Sequence, residues 1–116
     1  MSNARIKAGI VGFGKKAEKT HLAEMLKRPD LFEVVGVCDV TESRREAAKA
    51  LGLPTATGDL NEFLALEPEL VFIAAHSSVH HELAMPCLAR NCHLVIEKPV
   101  TLKAAEAEEI FAAAKK

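Results

Sequence analysis

Tryptophan and tyrosine are absent, and five phenylalanines supply the whole aromatic content of 4%. A surface that stacks on nucleobases needs aromatic rings, so single-stranded nucleic acid is not an expected partner. Charge is nearly balanced, with a formal net value of −1. That balance offers no basic field for a nucleic-acid backbone or an anionic lipid surface. No apolar run approaches the length of a membrane span. The opening "MSNARIKAGIV" reaches its apolar stretch too late and too briefly for a signal peptide. Residues 1–4, with the cloning-type triplet Ser2-Asn3-Ala4, are left out of the fold argument. The three cysteines, Cys38, Cys87 and Cys92, are odd in number and lack metal-type spacing, so buried reduced thiols and a cytoplasmic setting are expected.

What is present is ordinary globular composition: 49% apolar and 27% charged in 116 residues, enough for one domain over 5–116. The hydrophobic period switches repeatedly. "IKAGIV" (Ile6–Val11) is a short strand stopped by Gly12, and Leu22, Met25 and Leu26 then recur at helical spacing before Pro29. "FEVVGVCD" (Phe32–Asp39) is a β-branched strand, and "TESRREAAKALG" is a helix with Thr41 as N-cap and Gly52 just beyond its end. A weak strand near Thr55–Thr57 precedes a helix capped by Asp59, with Leu60, Phe63 and Leu64 facing inward. "ELVFIAA" (Glu69–Ala75) is the clearest strand, and "VHHELAMPCLAR" is a helix interrupted by Pro86 and closed at Asn91. "HLVIE" (His93–Glu97) is the fifth strand, and Thr101 caps an alanine-rich helix that follows.

Strands that alternate with helices and are apolar on both faces specify an α/β fold with a doubly wound parallel sheet. Right-handed crossovers make 3-2-1-4-5 the natural strand order, that of a Rossmann fold.

The stretch "AGIVGFGKKAEKTHL" then acquires a context. Gly12 and Gly14 stand where the first strand hands over to the first helix. There, one glycine makes a tight turn and the next lets a pyrophosphate approach the backbone at the helix N-terminus. Ala17 is acceptable at the third small-residue position, while Lys15 and Lys16 add positive charge beside it. A plain strand-to-helix turn explains the glycines about as well, taken alone. Asp39 shifts the balance: it ends the second strand 25 residues after Gly14, near the spacing of about 20 at which an acid meets the adenosine ribose. A turn aspartate is its plainer reading. Such a carboxylate repels a 2′-phosphate and favours NAD over NADP, although Arg44, close behind, is able to bind one.

"LVFIAAHSSVHHELA" and "HLVIEKPVT", in order after "GIVGFG" and "CD", resemble the Gfo/Idh/MocA family of oxidoreductases. The resemblance covers nearly the whole chain, with His80 and Ala84 matching a His-x-x-x-Ala helix and Glu97-Lys98-Pro99 matching a Glu-Lys-Pro strand end. It implies an NAD(P)-binding Rossmann domain followed, in the family, by a substrate domain absent from these 116 residues. It also implies cofactor contacts from Gly12, Phe13, Gly14, Lys15, Lys16, Asp39, Arg44, Ala75, His76, Ser77, His80, Glu97 and Lys98. Lys98 is the implied catalytic residue, touching the substrate hydroxyl and helping its proton move. The implied reaction is hydride transfer between nicotinamide and a sugar- or polyol-like carbon, with this chain alone binding cofactor without turnover.

Two departures stand out. His21 lies four residues after Ala17, whereas the family pattern has three, so a turn one residue longer is expected. His76-Ser77 replaces the common Pro-Asn, and the nearby histidines point apart on a helix start, so no metal is expected. A non-catalytic dinucleotide sensor is the alternative reading, and an S-adenosylmethionine-binding Rossmann domain a third. Strand His93–Glu97 and the final helix 101–116 are apolar surfaces through which a homodimer is expected.

Overall fold

The computed structural model describes residues 5–96 and 104–115. Glu97, Lys98 and Thr101 lie outside the described residues.

β1 (Ile6–Val11) sits at the centre of a parallel sheet between β2 (Phe32–Cys38) and β4 (Leu70–Ile73). β3 (Ala56–Thr57) borders β2, and β5 (His93–Ile96) borders β4, giving the expected order β3-β2-β1-β4-β5. Ala8, Ile10 and Val11 of β1 are buried, as are Val71 and Ile73 of β4. A strand buried on both faces needs helices above and below it, and the connections provide them.

α1 is one continuous right-handed helix in three parts: Lys15–Ala17, a π-type turn over Glu18–Leu22, and Ala23–Leu26. α2 (Glu42–Ala50), α3 (Leu60–Leu64), α4 (His80–Ala89) and α5 (Ala104–Ala114) follow. One core cluster gathers Phe13, Ala17, Leu22 and Met25 with β1 and β2. The other joins Phe63, Leu64, Ala84, Cys87 and Ile110 on the opposite side.

Local chemistry accounts for most boundaries. Asp59 accepts hydrogen bonds from the N–H groups of Asn61 and Glu62, which satisfies two first-turn donors of α3. Thr41 stands at the N-cap of α2 as expected, but its side chain makes no capping bond. Asn91 closes α4 with φ at +62°, the left-handed conformation this residue type tolerates. Pro86 lies inside α4 without ending it. Gly9 makes room for the core: a Cβ there would stand 2.4 Å from the Phe63 ring.

The strand tips that matter lie at the carboxyl edge. Gly12 N–H donates to Cys38 O at 2.8 Å, Asp39 N–H to Thr57 O at 2.9 Å, and Ala74 N–H to Val11 O at 2.8 Å. The turns leaving β1, β2 and β4 therefore start side by side. They flank the point between β1 and β4 where the strand order reverses, which is where doubly wound sheets bind ligands.

Candidate functional site

The turn after β1 is built on Gly12. Its φ of +90° is open to glycine and strained for other residues, and a Cβ would come within 2.5 Å of Ala75 N. The turn thus packs directly on the loop that follows β4. Gly14 differs: its φ is −77°, and a Cβ added there meets nothing within 4 Å. It fronts open space at the start of α1, where helix geometry leaves N–H groups without intrahelical acceptors. Space, the N–H groups of a helix start and the helix dipole together suit a phosphate. Lys15 and Lys16 are exposed beside it, and Ala17 is buried under the turn.

The residue added relative to the Gfo/Idh/MocA pattern is not in the turn. Glu18 N–H donates to Gly14 O at 3.0 Å in an ordinary first helical turn, and the π-type turn over Glu18–Leu22 takes up the extra residue inside α1. Ala17 keeps its place against the sheet. His21 packs on Phe72 of β4, with ring centroids 4.9 Å apart.

Asp39 stands at the tip of β2, half-buried. Its Oδ2 accepts the Phe13 N–H at 2.7 Å and its Oδ1 accepts the Thr41 N–H at 2.8 Å. The second bond is that of a turn aspartate, and the first ties it to the glycine turn. A carboxylate oxygen has more than one lone pair, so both retain capacity for ribose hydroxyls. The Phe13 side chain is fully buried, so Phe13 reaches the site through its backbone alone.

Arg44 is held in place. Its Nε donates to Phe13 O at 2.7 Å and its Nη2 to Glu18 Oε1 at 2.6 Å, with Cζ lying 5.3 Å from the Phe13 ring centroid. Arg45 donates to the Asp39 carbonyl at 2.9 Å. Glu18 and Arg45 carry no motif of their own.

The loop after β4 contains Ala75, His76 and Ser77, the last in a single 3-10 turn over Ser77–Val79. His76 is exposed, and its Nδ1 accepts the Ser78 N–H at 3.1 Å and lies 2.8 Å from Ser78 Oγ. His80 turns inward: it is 1% exposed, and its Nε2 lies 2.7 Å from Ala75 O. A carbonyl only accepts, so that nitrogen carries the proton. His80 therefore braces the loop from within and presents no side-chain face to the open edge. His81 points elsewhere, with Nε2 2.6 Å from Glu109 Oε1 on α5. Among the described residues, no group of three or more His, Cys, Asp or Glu side chains is placed to hold a metal ion.

Other features lie away from this edge. A concavity of about 320 Å³ lined by Glu67, Glu69, Asn91 and His93 sits at the amino edge of the sheet. All three cysteines are free and buried, and burial pushes the Cys38 thiol up to about 11 and Cys87 to about 12. No helix among the described residues is long and apolar enough to cross a membrane.

A parallel doubly wound sheet, a glycine turn opening a helix and an acid at the second strand's tip define a dinucleotide-binding Rossmann domain. The chain belongs to the Gfo/Idh/MocA oxidoreductase family: residues 6–116 match the family described as "Oxidoreductase family, NAD-binding Rossmann fold". Across its full length it is 30% identical to D-glucoside 3-dehydrogenase of Escherichia coli K12, covering 33% of that protein. It is 33% identical to scyllo-inositol 2-dehydrogenase (NADP(+)) of Bacillus subtilis, over 94% of this chain and 30% of the relative. The WlbA dehydrogenase of Bordetella pertussis, solved with NADH and UDP-GlcNAcA, superposes with a TM-score of 0.88 at 25% identity, over 97% of this chain and 35% of that one. The chain thus spans about a third of the length of these relatives.

Proposed function

We propose that this chain is the cofactor-holding part of an NAD-dependent oxidoreductase acting on a sugar- or polyol-like alcohol. One observation carries the reading: the Asp39 carboxylate is bonded to the Phe13 N–H, beside the open space in front of Gly14. That arrangement puts a ribose acceptor and a phosphate-binding helix start on one ledge. Gly12, Gly14, Lys15 and Lys16 would hold the pyrophosphate, and Asp39 the adenosine ribose. Val40, 85% exposed directly after Asp39, offers an apolar surface for the adenine. Ala75, His76 and Ser77 would line the path toward the nicotinamide, with His80 bracing them.

When bound, the nicotinamide supplies the hydride chemistry. Glu97 and Lys98, which come next in sequence after β5, are the residues proposed to face it. Lys98 would exchange a proton with the substrate hydroxyl. The substrate class follows the relatives' names, a glucoside and an inositol dehydrogenase. The chain covers about a third of these relatives, and the 116 residues are proposed to bind cofactor without oxidising a sugar on their own. The relatives span both cofactors, and Asp39 favours NAD here because its charge opposes a 2′-phosphate. A homodimer through the exposed edge of β5 and α5 is part of the same proposal.

Calorimetric titration with NADH and with Gly14→Val tests the reading. The variant's side chain enters open space, so it should fold normally and lose NADH. Undiminished binding by Gly14→Val would remove the site assignment.

A further inference from the structure

Glu18 forms the closest charged contact around the proposed adenosine end. Its Oε1 lies 2.6 Å from Arg44 Nη2, and the two side chains are only 31% and 21% exposed. Arg44 is further fixed by its bond to Phe13 O and by the Phe13 ring beneath it. Both peptide groups that flank Phe13 are thereby held, the first by Asp39 on its N–H and the second by Arg44 on its carbonyl.

A 2′-phosphate at the tip of β2 needs a cation free to meet it. Two arginines stand there. Arg45 donates to the Asp39 backbone carbonyl, and Arg44 is paired with Glu18. Counting formal charges, Asp39, Glu18, Arg44 and Arg45 sum to zero, whereas without Glu18 the remaining three would carry +1. Glu18 also lies on the π-type turn of α1, so the extra residue of that turn and the carboxylate facing α2 occur together.

We propose that Glu18 is a positioning residue that sets cofactor choice: it holds Arg44 against the glycine turn, neutralises it, and so excludes a 2′-phosphorylated adenosine. The inference rests on the dinucleotide reading of this ledge. It assigns the discrimination to two carboxylates acting together, Asp39 by direct repulsion and Glu18 by occupying Arg44, the arginine bonded to the glycine turn.

The test is binding of NADH and NADPH, with AMP and adenosine 2′,5′-bisphosphate as probes that isolate the 2′-phosphate. Glu18→Gln keeps the side chain's size and removes its charge. It should raise NADPH affinity relative to NADH by about tenfold or more, the scale of one freed charge-assisted contact. The same gain should appear for the bisphosphate over AMP and vanish in Glu18→Gln/Arg44→Ala. Arg44→Ala alone, which needs no folded Glu18 variant, leaves the two carboxylates without Arg44 and should not raise NADPH affinity relative to NADH. An unchanged NADPH-to-NADH ratio in Glu18→Gln, or a gain that persists in Glu18→Gln/Arg44→Ala, would overturn the role of Glu18. Failure of the wild-type chain to bind either dinucleotide would instead overturn the site reading on which it rests.

Discussion

The carboxylate of Asp39 accepts the backbone N–H of Phe13 at 2.7 Å, across 26 residues of sequence. This contact joins the tip of β2 to the turn after β1 and orients the acid along the ledge. Removing it affects both stability and binding. Asp39→Ala leaves the Phe13 and Thr41 N–H groups without their acceptor, at a cost of about 1–3 kcal/mol. Urea denaturation should show that loss, and titration should show NADH affinity falling by about tenfold or more. Asp39→Ala with unchanged NADH affinity would contradict the ribose role.

Gly12 is expected to be structurally intolerant where Gly14 is not. Any Cβ at Gly12 meets the backbone of Ala74 and Ala75 below 3 Å, at a φ of +90°. Gly12→Ala should therefore destabilise the fold by about 2 kcal/mol or more. Gly14→Val should unfold at nearly the wild-type urea midpoint. Equal stability losses in the two variants would mean that the turn is packed differently.

The buried thiols predict the alkaline limb of stability. Cys38 and Cys87 hold their protons more tightly in the folded state, with pKa values of about 11 and about 12 against an ordinary 9.0. Desolvation is the chief cause in both, and Asp39 adds to it at Cys38. A proton bound more tightly when folded stabilises the fold below pH 9 and stops doing so as pH rises through 11–12. Denaturation midpoints should hold up to about pH 9 and fall above it, and Cys87→Ala should flatten that fall. Maleimide labelling at neutral pH should be slow until the chain is unfolded.

β5 stands last in the strand order, with Val95 42% exposed on one face and Phe111 of α5, 55% exposed, beside Leu94 and Ile96 on the other. An apolar edge of this kind pairs with another chain unless a charge blocks it. Sedimentation should show association rising with concentration, and Val95→Lys should suppress it. A wild-type monomer across the concentration range would rule out the dimer.

Much of this architecture is legible in the sequence. Gly12 marks the end of β1 because the chain must turn with positive φ there. Asp59 announces α3 because its side chain has only the first-turn N–H groups to serve. The apolar run Leu70–Ile73 cannot be other than a buried strand once helices flank it. The site was readable as far as spacing carries: the glycine turn and Asp39 fall where the fold needs them. Three features were not. An added residue after Ala17 looks the same in sequence whether it lengthens a loop or forms a π-type turn. His80 at a helix start carries no mark of whether its ring faces a ligand or a carbonyl behind it. The Glu18–Arg44 pair joins residues 26 apart whose meeting depends on how α1 and α2 pack.

The central claim, that a dinucleotide lies on the carboxyl-edge ledge, is tested most directly by amide NMR during titration with NADH. Shifts should concentrate at Gly12–Ala17, Asp39–Thr41 and Ala74–Ser78, while Glu67, Asn91 and His93 at the amino edge stay still. Shifts centred on the amino edge, or none at millimolar NADH and NADPH, would contradict it.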